Sequence, residues 1–196
     1  MATTGAPSRR GRQRDPEVTA RVLAAARELL LEHGAATVTA EGIAARAGVS
    51  KGTIYRWWPN AASVVMDAFL NGVQPVLVFP NTGSVRDDLR LQLRAVFALF
   101  RSPTGRVIAD LVADAQRQPH LAAALREHYL APRRAAAKAV LQQGITRHEI
   151  RPDLDLDAAL DLLYGAAYYR LLLQHSSLDD QQADVLVDHV LPAWKS

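Results

Sequence analysis

Hydrogen-bond donors cluster in one short stretch of the chain, Ser50, Lys51, Thr53, Tyr55 and Arg56, within the segment Gly42 to Trp58 (GIAARAGVSKGTIYRWW). A helix capped at Ser50, turning about 100° per residue, sets Ser50, Ile54, Trp57 and Trp58 on one side and Gly52, Thr53, Tyr55 and Arg56 on the other. An outward strip of hydroxyls and a guanidinium suits phosphate oxygens and base edges. Thr53 and Tyr55 can reach either, Arg56 can bridge guanine O6 and N7, and Gly52 lets the backbone come close. Lys51 belongs with them because recognition helices address bases with their N-terminal residues. Thr39, the cap of the preceding helix, is a further candidate contact.

Such a helix must be held at a fixed angle to its neighbour. A helix-turn-helix needs a small residue where two helices cross, a glycine able to take positive φ in the turn, and an apolar inner side. Ala44, Gly48, and the set Ile43, Val49, Ile54 and Trp57 supply these in order. Thr39 predicts a helix to Ala47, and Ser50 one through Trp58 that Pro59 ends. Upstream, Asp15-Pro16-Glu17 opens a first helix with Val22, Ala25, Ala26 and Leu29 at helical spacing, stopped at Gly34. Downstream, Asn60 caps a fourth, with Val64, Val65, Ala68 and Phe69, running to about Val73. The alternative is an αα-hairpin with a solvated basic face and no DNA partner; affinity for DNA that falls steeply with salt separates the two.

Charge is distributed accordingly. Residues 1–60 carry nine Lys and Arg against five Asp and Glu, while the rest of the chain carries 14 against 15. Arg9, Arg10, Arg12 and Arg14 form a basic arm, 1–14, suited to an adjacent minor groove or, equally, to a solvated tail. The absence of cysteine excludes disulfides, thiolate zinc sites and thiol nucleophiles. No apolar run approaches the length of a membrane span, and cytoplasmic placement is the expectation.

Residues 75–83 read as a linker, and Ser84-Val85-Arg86-Asp87 has capping-box spacing for a helix through Leu89, Leu93, Val96, Phe97 and Phe100. Further helical runs cover about 104–118, 120–143, 155–175 and 178–190, so the fold class is all-α. Phe97, Phe100, Tyr129, Tyr164 and Tyr168 are candidate lining of a ligand cavity, the competing use of each being plain core packing. Arg170, beside two tyrosines, needs a partner: an acid across a dimer or an anionic ligand. Leu156, Leu160, Leu163, Ala167 and Leu171, with Val185, Leu186 and Val190, exceed what one core face needs and suggest a dimer surface. Asp153, Asp155 and Asp157 alternate like calcium ligands, but the loop's glycine and closing glutamate are absent. The six histidines lack metal-ligand spacing, and no catalytic constellation or cofactor motif occurs.

Gly48 to Tyr55, preceded by Ile43-Ala44 and followed by two aromatics and Pro59, resembles the signature of the tetracycline-repressor (TetR) family over about residues 15–70. Arg151-Pro152-Asp153 and Gly165 to Leu172 resemble one C-terminal subgroup. The resemblance implies an N-terminal three-helix DNA-binding domain, 15–60, a connecting helix, 61–74, and a helical ligand-binding and dimerisation domain, 75–196. It implies a homodimer through the C-terminal helices, a palindromic double-stranded operator, repression relieved by a small-molecule effector, no cofactor and no enzymatic activity. It places Thr53, Tyr55 and Arg56 at DNA, Tyr55 on a phosphate. Two positions depart from the pattern. Ala61 stands where a phosphate-gripping lysine is usual, and Trp57 where His or Tyr is usual, so Trp57 can meet a phosphate edge as well as pack.

Overall fold

A computed structural model describes residues 15–73 and 78–195; the basic arm lies outside the described residues. Among the described residues ten α-helices follow in order: α1 (Pro16–His33), α2 (Ala40–Ala47), α3 (Lys51–Tyr55), α4 (Ala61–Val73), α5 (Val85–Arg101), α6 (Pro103–Ala115), α7 (Pro119–Ala124), α8 (Ala131–Thr146), α9 (Leu156–Leu173) and α10 (Asp180–Val190). Among the described residues there is no strand, and the all-α expectation holds. A six-residue π-helix, Leu125–Leu130, joins α7 to α8 without a break.

Local chemistry sets the boundaries. The Asp15 side chain accepts from the Glu17 amide at 3.0 Å, and Asn60 Oδ1 accepts from the Ser63 amide at 2.9 Å. Asp155, in the would-be calcium loop, instead caps α9 by accepting from the amides of Asp157 and Ala158. Each such cap is worth about 1 kcal/mol. At α5 only half of the anticipated capping box forms. Ser84 Oγ accepts from the Asp87 amide, but the Ser84 amide donates to the Thr82 hydroxyl.

One apolar core runs through the described residues from α1 to Trp194. Val22 and Ala26 of α1, Ile43 of α2 and Ile54 of α3 pack with Val64, Val65 and Ala68 of α4, and the same cluster continues through Leu89 and Phe97 of α5 to Leu163 of α9 and Trp194. α4 lies against α1 on one side and against α7 and the π-helix on the other. α10 is fastened to α5 by charge: Arg86 and Arg90 share Asp188, Arg94 forks onto Asp184, and Arg101 reaches Asp180. Arg134 and Lys138 of α8 hold Asp157 at 2.7 Å each, tying α8 to the start of α9.

The α5–α6 corner leaves no room for a side chain at Gly105. A Cβ on Gly105 would lie 1.9 Å from the Phe100 carbonyl oxygen, so backbone, not a movable side chain, excludes it. Gly105→Ala is expected to destabilise by about 2–3 kcal/mol or more, lowering the calorimetric Tm by roughly 5–10 °C; an unchanged Tm would show that the corner can open without strain.

Candidate nucleic-acid interface

The turn between α2 and α3 is built as the spacing requires. Gly48 takes φ 65°, ψ 41°, the left-handed region in which a side chain is strained. The Val49 amide donates to the Ala44 carbonyl at 3.0 Å, closing the helix end. Thr39 Oγ1 accepts from the Gly42 amide and Ser50 Oγ from the Thr53 amide, so the two candidate contacts that begin α2 and α3 are also their caps. Ile54 is fully buried and fixes which way α3 faces. Lys51, Gly52, Tyr55 and Arg56 are exposed, with Thr53 half-buried beside them.

Two inner-side assignments on this helix are overturned. Ser50 is exposed, since its hydroxyl is spent at the helix end, where it also meets Thr53 Oγ1 at 3.0 Å. Trp57 is 38% exposed while Trp58 is buried. The cause is length. α3 ends at Tyr55, three residues sooner than Pro59 suggested, and the chain then tightens, the Trp57 amide donating to the Ile54 carbonyl. A helical wheel does not extend past that point. Trp58 takes the inner place, and its indole N–H donates to Asp67 of α4 at 2.7 Å, tying the end of the recognition helix to the connecting helix.

Charge organises this face. Lys51 Nζ lies 2.6 Å from Glu41 Oε1, and the pairing holds the Glu41 carboxyl below and the Lys51 ammonium above their ordinary values. Arg46 turns away from the α3 surface and forks onto Glu32 with two bonds of 2.9 Å, with Glu28 at 3.4 Å, bracing α2 on α1.

In the body, Phe100, Tyr129, Tyr164 and Tyr168 line a common cavity of about 60 Å³. Phe97 does not. It is wholly buried core, with the Arg170 guanidinium 6.0 Å from its ring. Arg170 finds its partners inside the protomer, donating to the Ser177 carbonyl and to Gln182, and needs neither a partner subunit nor a ligand. Sequence reasoning missed Gln92 and Arg133, which also line the cavity. Arg133 sits in an alanine-rich stretch with no periodic signal to single it out. Of the residues expected to offer a dimer surface, Leu160, Leu163, Ala167 and Leu171 are buried within the chain, whereas Leu162, Tyr169, Leu172 and Leu173 of α9 are exposed. A wider crevice of about 920 Å³ opens where the end of α1 meets α6, with Glu32, Asp110 and Asp114 against Arg101, Arg106 and Arg117.

The Arg46 fork gives a pH-dependent expectation. Hydrogen bonding to Arg46 lowers the Glu32 carboxyl. The pair therefore contributes above the range where a free carboxylate titrates and is lost as pH falls through the lowered value. Arg46→Met, which keeps the apolar stem, should lower the Tm at neutral pH, and the difference from the parent should close as pH falls through the carboxylate range. A difference that persists in acid would assign the effect to packing.

Comparison with known proteins agrees with this geometry. Residues 22–65 match the model of bacterial regulatory proteins of the tetR family, and residues 79–190 match the tetracyclin repressor-like C-terminal domain. The HTH-type transcriptional regulator YdeS of Bacillus subtilis is 41% identical over 180 residues, 92% of this chain and 91% of that protein. The DNA-binding transcriptional repressor TetR of Mycobacteroides abscessus is 30% identical over 179 residues, 88% of this chain and 91% of that protein. The crystal structure of the TetR-family regulator SCO0332 superposes with a TM-score of 0.77 at 41% identity, covering 92% of this chain and all of that one. The relatives are transcriptional regulators and not enzymes, no helix among the described residues is long and apolar enough to cross a membrane, and the chain belongs to the TetR family of helix-turn-helix, DNA-binding transcriptional regulators.

Proposed function

We propose that the chain is a ligand-responsive repressor that binds a palindromic operator as a two-fold homodimer. Residues 15–60 act as the DNA head, 61–74 as the connecting helix and 75–196 as the ligand-binding and dimerisation body. The observation that carries the DNA part is the start of α2 and the length of α3: of Thr39, Ser50, Lys51, Gly52, Thr53, Tyr55, Arg56 and Trp57 all but Thr53 are exposed, while Ile54 is buried and anchors the helix. In this reading Tyr55 and Trp57 meet phosphates, Arg56 reads a base, and Lys51 exchanges Glu41 for a phosphate. The repressor described in Mycobacteroides abscessus supports the sign of regulation.

Dimerisation rests on α9. Leu162, Tyr169, Leu172 and Leu173 are 64%, 57%, 43% and 58% exposed, more apolar surface in one place than isolated surface leucines account for. A second copy of the same face covers it under two-fold symmetry. The two recognition helices must then stand about 34–36 Å apart to enter successive major grooves. A ligand in the body that changes this separation weakens DNA binding without harming either head.

The test begins with duplexes enriched on the purified protein and measures affinity by fluorescence anisotropy. Arg56→Ala should cost about 1–3 kcal/mol and relax one position per half-site, and Tyr55→Phe should weaken all sequences alike. Leu172→Glu with Leu173→Glu should give a monomer in light scattering and lose the selected duplex. Parental affinity in the first two variants would remove α3 from the interface; a dimer that survives the glutamates would move the contact elsewhere.

A further inference from the structure

The body cavity has walls of unequal character. Val96 and Phe100 of α5 and Leu130 of the π-helix are apolar, and the polar groups that join them are the Tyr129, Tyr164 and Tyr168 hydroxyls, the Arg133 guanidinium and the Gln92 amide, which carries an acceptor as well as a donor. The Tyr168 hydroxyl donates to the Tyr129 hydroxyl at 3.1 Å. The Tyr164 hydroxyl is buried and has no hydrogen-bond partner among the described residues. Burial pushes the Tyr164 and Tyr168 phenols upward, so both stay neutral and keep their protons. A buried hydroxyl left without a partner carries a desolvation penalty that an acceptor atom placed in the cavity removes.

The neighbouring arginines sharpen the contrast. Arg134 is satisfied by Asp157 and Asp161. Arg133, one residue earlier, has no carboxylate partner among the described residues; its guanidinium lies over the Tyr129 ring, 4.9 Å from the centroid. No Asp or Glu lines the cavity. The π-helix places Tyr129 there, and such wide turns recur at functional sites.

From these observations we infer that this cavity takes a small organic anion, an aromatic or similarly flat apolar body carrying a carboxylate-like group. The anion meets Arg133 and the Tyr164 hydroxyl while the apolar part lies against Val96, Phe100 and Tyr168. Size limits the ligand. At about 60 Å³ the cavity is well under the usual 300–1,000 Å³. Phe79 is the lining residue outside any helix, so it is the wall that yields as a ligand enters. The inference rests on the ligand-responsive reading above and gives its effector a chemical class.

The test titrates the full-length protein calorimetrically with benzoate and with benzamide, its neutral counterpart of nearly equal shape. Benzoate should bind about tenfold or more tightly, the size of a charge-assisted hydrogen bond. Arg133→Gln should abolish the preference while leaving benzamide unchanged. Arg133→Lys should keep most of the preference, which separates charge from folding, and Phe79→Ala should tighten both probes. Equal affinities in the parent, no binding of either probe at millimolar concentration, or a preference that survives Arg133→Gln overturns the inference. Adding each probe to the protein on its selected duplex separates the two readings. If benzoate binds as described yet leaves DNA affinity unchanged, the anion site stands and the effector reading falls. If benzamide releases DNA as well as benzoate, the effector reading stands and the anion site falls.

Discussion

The contact on which the arrangement turns is the edge-to-face packing of Phe69 against Tyr129, ring centroids 5.5 Å apart. Phe69 belongs to α4, the helix that leaves the DNA head, and Tyr129 belongs to the π-helix at the cavity wall. From Tyr129 the hydrogen bond passes to Tyr168, whose ring meets Phe100 at 5.3 Å. On the other side of α4, Asp67 accepts from Trp58 at the end of the recognition helix. Cavity and recognition helix are thus separated by a few side chains on one rigid element. An aromatic pair of this kind contributes about 0.5–1.5 kcal/mol beyond its buried area, comparable with the 1–3 kcal/mol of a typical coupling between two sites. A chain of such contacts is of the right order to carry the proposed response.

Charge does the complementary work of fixing elements that apolar packing leaves ambiguous. Surface ion pairs contribute little singly, about 0–1 kcal/mol, but the ladder of Arg86, Arg90 and Arg94 against Asp188 and Asp184 repeats at one-turn intervals. A slip of α10 by one residue would break every rung. α10 is thereby held on α5 in a single register. At the head, the Arg46 fork does the same for α2 on α1.

Features decided locally were legible in the sequence. The caps at Asp15, Thr39, Ser50 and Asn60 were readable because a cap needs only a short side chain and the next two or three amides. Gly48 was readable because its φ is set within the turn. The exposed face of α9 was not. α9 is apolar nearly all round, and periodicity cannot say that Leu163 and Ala167 face inward while Leu162 and Tyr169 remain outside; the packing of α6, α8 and α10 decides it. Trp57 was misplaced because the wheel assumed a helix longer than the one that forms. The arginine ladder joins two i,i+4 series that pair across 90 to 102 residues, a relation that only the fold supplies. Arg133 carried no local signal, and its significance appears only when Arg134 beside it is seen to be paired and it is not.

If the recognition helix and the cavity are joined through Phe69 and Tyr129, DNA on the head must be felt at the cavity wall without any ligand present. Amide hydrogen exchange across Leu125–Leu130, measured with and without saturating selected duplex, reads this directly. The predicted result is a change in protection of that turn on DNA binding in the parent protein and none in Phe69→Leu at equal DNA occupancy. Identical exchange with and without DNA in the parent would contradict the coupling and leave the body a dimerisation device.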